Sequence, residues 1–137
     1  MKHIFTAVAV ATLLPLTAFA APTAVDLSGW TENGLRGNNG AGTWTTEGAN
    51  DDSVFQSING LPTVFFDPTA SDQNKSLKGS ITVTDRAGDN DFIGFVLGYQ
   101  ADEMNSASAD FWLVDWKQED QSLTGEGLGK VGLSLSH

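Results

Sequence analysis

The stretch DFIGFVLGYQ (Asp91–Gln100), followed after a short polar loop by DFWLVDWKQ (Asp110–Gln118), decides how this chain is read. The first segment is apolar at successive positions, which predicts a strand central in its sheet and covered on both faces. The second alternates. Trp112, Val114 and Trp116 fall on one face, and Phe111, Leu113, Asp115 and Lys117 on the other. That period assigns the tryptophan face to the core and makes Asp115 and Lys117 an ordinary same-face charge pair. Ser80–Asp85 (SITVTD) sets Ile81 and Val83 against Thr82 and Thr84, the period of a half-buried strand.

Shorter strand signals surround this block. Thr43–Thr46 (TWTT) and Ser53–Ser57 (SVFQS) precede the Asn59-Gly60 turn, and Pro62–Phe66 (PTVFF) is a β-branched and aromatic run after it. Asp67–Lys78 opens on Asp-Pro and reads as a polar loop, and Asp26–Asn50 is rich in Gly, Asn, Thr and Trp, turn chemistry that punctuates short strands. Val131–Leu135 (VGLSL) starts a last strand. No helical periodicity is evident beyond the first 20 residues. The expectation is an all-β protein, an antiparallel β-sandwich.

Composition narrows the function. The 137 residues carry 17 acidic and 7 basic side chains, a net charge of −10, two His and no Cys. No disulfide, thiolate metal site or thiol nucleophile is available. His3 lies in the leader and His137 is the last residue, a poor supply for general-base chemistry. The negative charge disfavours nucleic acid and anionic membranes and favours hard cations.

Met1–Ala20 reads as a signal peptide: Lys2 and His3, the apolar run Ile4–Thr17 interrupted by Pro15, then Ala18-Phe19-Ala20 before the cut. The run falls short of the ~20 apolar residues of a membrane span. Cleavage after Ala20 removes Lys2 and takes the charge from −10 to −11, leaving residues 21–137 as one exported, periplasmic or extracellular, acidic domain with no membrane insertion. An exported chain without Cys suggests a bacterial source. Asn74-Lys75-Ser76 is formally a glycosylation acceptor, with meaning only in a eukaryote.

The block from Gly79 to Gln118 resembles the thrombospondin C-terminal domain, a lectin-like jelly roll of the concanavalin type. Gly79-Ser80-Ile81-Thr82-Val83 leads into Asp89-Asn90-Asp91 and then Phe92-Ile93-Gly94-Phe95-Val96-Leu97-Gly98-Tyr99-Gln100. The later Trp116-Lys117-Gln118 completes the pattern in order, and Asn90 departs from the family's acidic triplet. The resemblance implies extracellular, calcium-associated adhesion or ligand binding. It also implies an incomplete domain, since Gly125–Leu135 resembles the family's next strand and the family's remaining half does not follow. An incomplete sandwich would expose unpaired strand edges and be prone to disorder or aggregation.

Candidate site residues follow from charge crowding. Asp85, Asp89, Asn90 and Asp91 share one short loop, TDRAGDND, and such carboxylates repel one another unless solvated or neutralised. Calcium, with six to eight oxygen ligands, suits such a set; the competing reading is a solvated turn with Arg86 as counter-charge. An EF-hand is excluded, because counting from Asp89 places Ile93 at position five and Gln100 at position twelve. Asp51 and Asp52 form a second acidic pair. Asp110, Asp115, Glu119 and Asp120 flank or interrupt the tryptophan strand.

Trp112 and Trp116 raise sugar stacking as the alternative to core packing; Trp30 and Trp44 lie among turn residues and either role stays open. Gly94 and Gly98, on one face with Val96, read as marks of a bulge or of close backbone approach, with packing a sufficient reason for both. No run of alternating carboxylates, no Ser-His-Asp set and no phosphate loop is present, so no catalytic residue is assigned. The expected function is calcium-associated binding of an extracellular carbohydrate, protein or matrix component. The alternatives are a glycoside-active enzyme whose catalytic strand lies further along the chain, and a structural matrix protein.

Overall fold

The computed structural model describes residues 21, 23–35, 40, 42–58, 60–69, 76–83, 91–123 and 127–137. Nine strands occur among them: β1 (Thr31–Gly34), β2 (Trp44–Glu47), β3 (Ser53–Gln56), β4 (Thr63–Phe66), β5 (Ile93–Leu97), β6 (Trp112–Lys117), β7 (Gln121–Leu123), β8 (Gly127–Gly129) and β9 (Gly132–Ser136). A single 3-10 turn, Glu103–Asn105, lies between β5 and β6. No α-helix occurs among the described residues, and no helix there is long and apolar enough to cross a membrane. The chain is all-β, as its sequence predicts.

Every pairing is antiparallel, and the two halves repeat one plan. In the first, β1 pairs with β4 and the β2–β3 hairpin lies between them in sequence. In the second, β6 pairs with β9 around the β7–β8 hairpin, and β5 joins the outer edge of β6 to give the order β5-β6-β9. Nesting a hairpin between two paired strands lets four short segments satisfy their backbone groups locally.

The two halves pack as a sandwich. β4 alternates with period 2: Val64 and Phe66 are buried, while Thr63 and Phe65 face the other way. Val64, Phe66 and Tyr99 form the core, with Val96, Met104 and Phe111 against it. Tyr99 sits edge-on to Phe66 at 5.0 Å and to Phe111 at 5.2 Å, the arrangement that places ring edges against ring faces. On the outer side of β4, Phe65 stacks on Trp44 at 5.5 Å and meets Trp30 at 6.0 Å, and the Trp44 indole donates to Thr63 Oγ1 at 2.9 Å. Trp30 and Trp44 are therefore half-buried packing residues.

Three expectations are corrected. β5 lies at the edge of its sheet, with β6 central, because the described part of Ser80–Asp85 (residues 80–83) forms no strand beside it. β1 (TENG) and β7 (QSL) form where no strand is named in advance, and the span Gly125–Leu135 holds two strands, β8 and most of β9, in place of one. The third concerns which face of β6 is buried. Val96 packs on the core, and register places Gly94 opposite Asp115 and Val96 opposite Leu113. The inward face of β6 is thus Leu113, Asp115 and Lys117, while Trp112 and Trp116 are 46% and 41% exposed.

The polar inner residues are buried because they are paired. Lys117 has no exposed surface. Its ammonium donates to Gln121 Oε1 at 2.8 Å and sits 4.7 Å from the centre of the Phe92 ring. Asp115 accepts from the Ser134 hydroxyl across the β6–β9 ladder. Gly94 is required here: a Cβ at this position would lie 2.0 Å from the Val114 carbonyl oxygen. Gly98 serves differently, ending β5 with a φ of +83°.

Candidate functional site

Of the predicted calcium ligands, Asp91 is described: it is exposed and lies two residues before β5. Asp85, Asp89 and Asn90 lie outside the described residues, as do the leader Met1–Ala20, Arg86, Asn59 and Asn74-Lys75. The donor chemistry of the set is uniform, three carboxylates and one amide, all offering oxygen, and fits a hard cation. No group of three or more Asp, Glu, His or Cys positioned to hold a metal occurs among the described residues. Asp51 and Asp52 belong to the β2–β3 hairpin, where Asp51 takes a φ of 50° and its carbonyl accepts from Leu27 N–H at 2.8 Å. Asp51 thus ties the hairpin turn to the segment before β1.

A polar cluster that no sequence motif announces organises the loop after β5. Asn33 Oδ1, on β1, accepts from the Tyr99 hydroxyl at 2.5 Å and from Asp102 N–H at 2.6 Å. Asn105 donates to Gly34 carbonyl at 3.1 Å and to Asp102 Oδ1 at 2.6 Å. Glu103 accepts from Gln100 N–H at 2.7 Å and from Asp110 N–H at 2.8 Å, closing the loop's two ends on one carboxylate. These bonds tie β1 to the connection between β5 and β6. Burial pushes the Tyr99 phenol above its ordinary pKa of 10.0, and the carboxylates of Asp102 and Glu103 push in the same direction. Tyr99 is visible in the sequence as part of the Gly-Tyr-Gln pattern; Asn33, in a polar stretch, gives no signal of its own.

Trp116 lines an open groove of 470 Å³ with Ile81, Thr82, Val83, Ile93 and Gln118. Residues 81–83 thus run beside one corner of the outward face of the β5-β6-β9 sheet without forming a strand. At the opposite end of β6, Trp112 meets the His137 ring at 4.5 Å, and His137 Nε2 lies 2.9 Å from Asp110 Oδ1. Asp120 accepts from Val131 N–H at 2.8 Å and from Lys130 Nζ at 2.9 Å, which holds its carboxyl below the ordinary value and anchors the turn into β9. Asp110 and Asp120 thus have structural partners.

Compared with known proteins, residues 41–133 match the family model described as the thrombospondin C-terminal region. The match reaches beyond the Gly79–Gln118 block that carries the resemblance in the sequence, taking in β2 through β8 and the start of β9. No curated protein and no solved structure matches the chain.

Proposed function

Because the chain belongs to the thrombospondin C-terminal region family, we infer that it is an exported, calcium-associated binding module that engages an extracellular carbohydrate, protein or matrix component. The observation that carries this reading is the family match itself, which spans the acidic segment Asp85–Asp91 and both strands of the aromatic block. The leader-like first 20 residues support export, and the residue inventory favours recognition over catalysis.

In this reading Asp85, Asp89, Asn90 and Asp91 supply oxygen donors to calcium. The bound ion neutralises carboxylates that otherwise repel one another at the entrance to β5. Asp91 lies two residues before β5, so a cation held by this set would sit next to the start of that strand.

Thermal unfolding in excess calcium and in excess chelator tests the reading. Calcium should raise the melting temperature, since a ligand bound only by the folded state stabilises by about 2.7 kcal/mol at a hundred times its Kd. Asp91→Asn and Asp89→Asn should each shrink the shift. Superimposable curves for the unaltered protein would remove calcium from the account.

A further inference from the structure

We propose that the outward face of the β5-β6-β9 sheet is a self-association surface, packing face to face against the same sheet of a second copy. Register places eight residues on that face: Ile93, Phe95 and Leu97 from β5, Trp112, Val114 and Trp116 from β6, and Leu133 and Leu135 from β9. All eight are apolar. Six of them are exposed, with Leu133 at 75%, Leu135 at 65%, Leu97 at 51%, Trp112 at 46%, Trp116 at 41% and Phe95 at 37%.

The size of the patch favours a partner protein surface. At about 200 Å² of full surface per side chain, those six present roughly 600 Å², the upper end of what a monomer leaves bare. Burying the face on two copies removes about 1,200 Å² in total, which reaches the range of stable specific interfaces. A two-fold axis would set the same face of each copy against the other as an isologous contact, and sheets stack face to face about 10 Å apart.

Charge selects the occupant. A chain of net charge −10 repels a copy of itself through most of its surface, yet none of the eight positions is charged, so two copies meet here without desolvating an ion. An anionic membrane needs Lys or Arg around an apolar face, and the chain has few. A sugar polymer needs hydrogen-bonding side chains between the aromatics; the tryptophan indoles are the one such group among these eight residues. The proposal stands on the sheet's geometry and does not depend on calcium.

Sedimentation velocity of the purified protein over about 1 to 100 µM reads the outcome. A discrete dimer is expected, strengthened by added salt as the like charges are screened. Leu133→Asp, and separately Leu135→Lys, should weaken it about a hundredfold or more, because each charge enters the apolar contact twice. Both residues are mostly exposed within one chain, so the fold of each variant should be retained, checked by its melting curve. Thr45→Asp, at an exposed position of β2, should leave the dimer intact. A monomer at every concentration overturns the proposal. So does a dimer indifferent to both face variants, or a polydisperse aggregate that they do not reduce.

Discussion

On the inner face of the β5-β6-β9 sheet, Val96 meets the aromatic core while Asp115 and Lys117 are buried with hydrogen-bonding partners. On the outer face, eight apolar side chains line three strands and six of them are exposed. The two faces of one sheet thus divide the work of polar and apolar residues in the reverse of the usual sense. Alternation along a strand determines which side chains share a face, but the neighbouring elements determine which face is covered. Here Phe66, Tyr99 and Phe92, with the β7–β8 hairpin supplying Gln121 and Gly129, close over the side that carries the lysine.

The sharpest way to break this comparison is to truncate one residue from each side. Phe66→Ala, in the core beneath the inner face, should cost about 3–5 kcal/mol of unfolding free energy by denaturant titration. Leu133→Ala on the outer face should cost less than about 0.5 kcal/mol in dilute solution. Comparable losses would mean that the outer face is already covered within one chain.

A smaller but still large effect is expected at Gly94. Its added Cβ would meet backbone of β6, which cannot swing aside as a side chain can. Gly94→Ala should therefore destabilise by about 1–3 kcal/mol or shift the β5–β6 register. Melting and amide exchange of the β5 ladder would read either result. Retained stability and protection would contradict the close approach.

The smallest effect belongs to the polar tie between the halves. Tyr99→Phe removes the donor to Asn33 Oδ1, which keeps Asp102 N–H, and should cost about 1 kcal/mol. The phenol also gives a pH signature. Its folded pKa lies above the ordinary 10.0, so its contribution is complete below pH 10 and is lost as pH rises through the folded value. Stability of the unaltered protein should fall in that alkaline range, and the Tyr99→Phe variant should lose that part of the slope.

Much of the fold was legible because it rests on local alternation. β2, β3, β4, β6 and β9 form within a residue or two of where their apolar periods place them, and the core of β5 lies inside Asp91–Gln100. The thrombospondin-type resemblance read from Gly79–Gln118 is borne out by the match to residues 41–133. What could not be read depends on distant parts of the chain. β1 is polar and becomes a strand because β4 supplies its ladder, and Asn33 becomes structural because Tyr99, 66 residues on, supplies a hydroxyl. The burial of Asp115 and Lys117 in place of Trp112 and Trp116 has the same origin, since period 2 carries no sign for inward and outward. Of the acidic cluster, Asp91 is placed two residues before β5, and calcium there is a proposal drawn from charge crowding and the family resemblance.

The central claim, that the tryptophan face is built to be covered by a second copy, is read most directly by tryptophan fluorescence during dilution. Trp30 and Trp44 stay packed around Phe65 in either state, so the change reports on Trp112 and Trp116. Dilution from about 100 µM to below 1 µM should shift emission to the red and raise acrylamide quenching, with Leu133→Asp showing the diluted signal throughout. Emission and quenching that do not change with concentration, and are identical in that variant, would contradict the account.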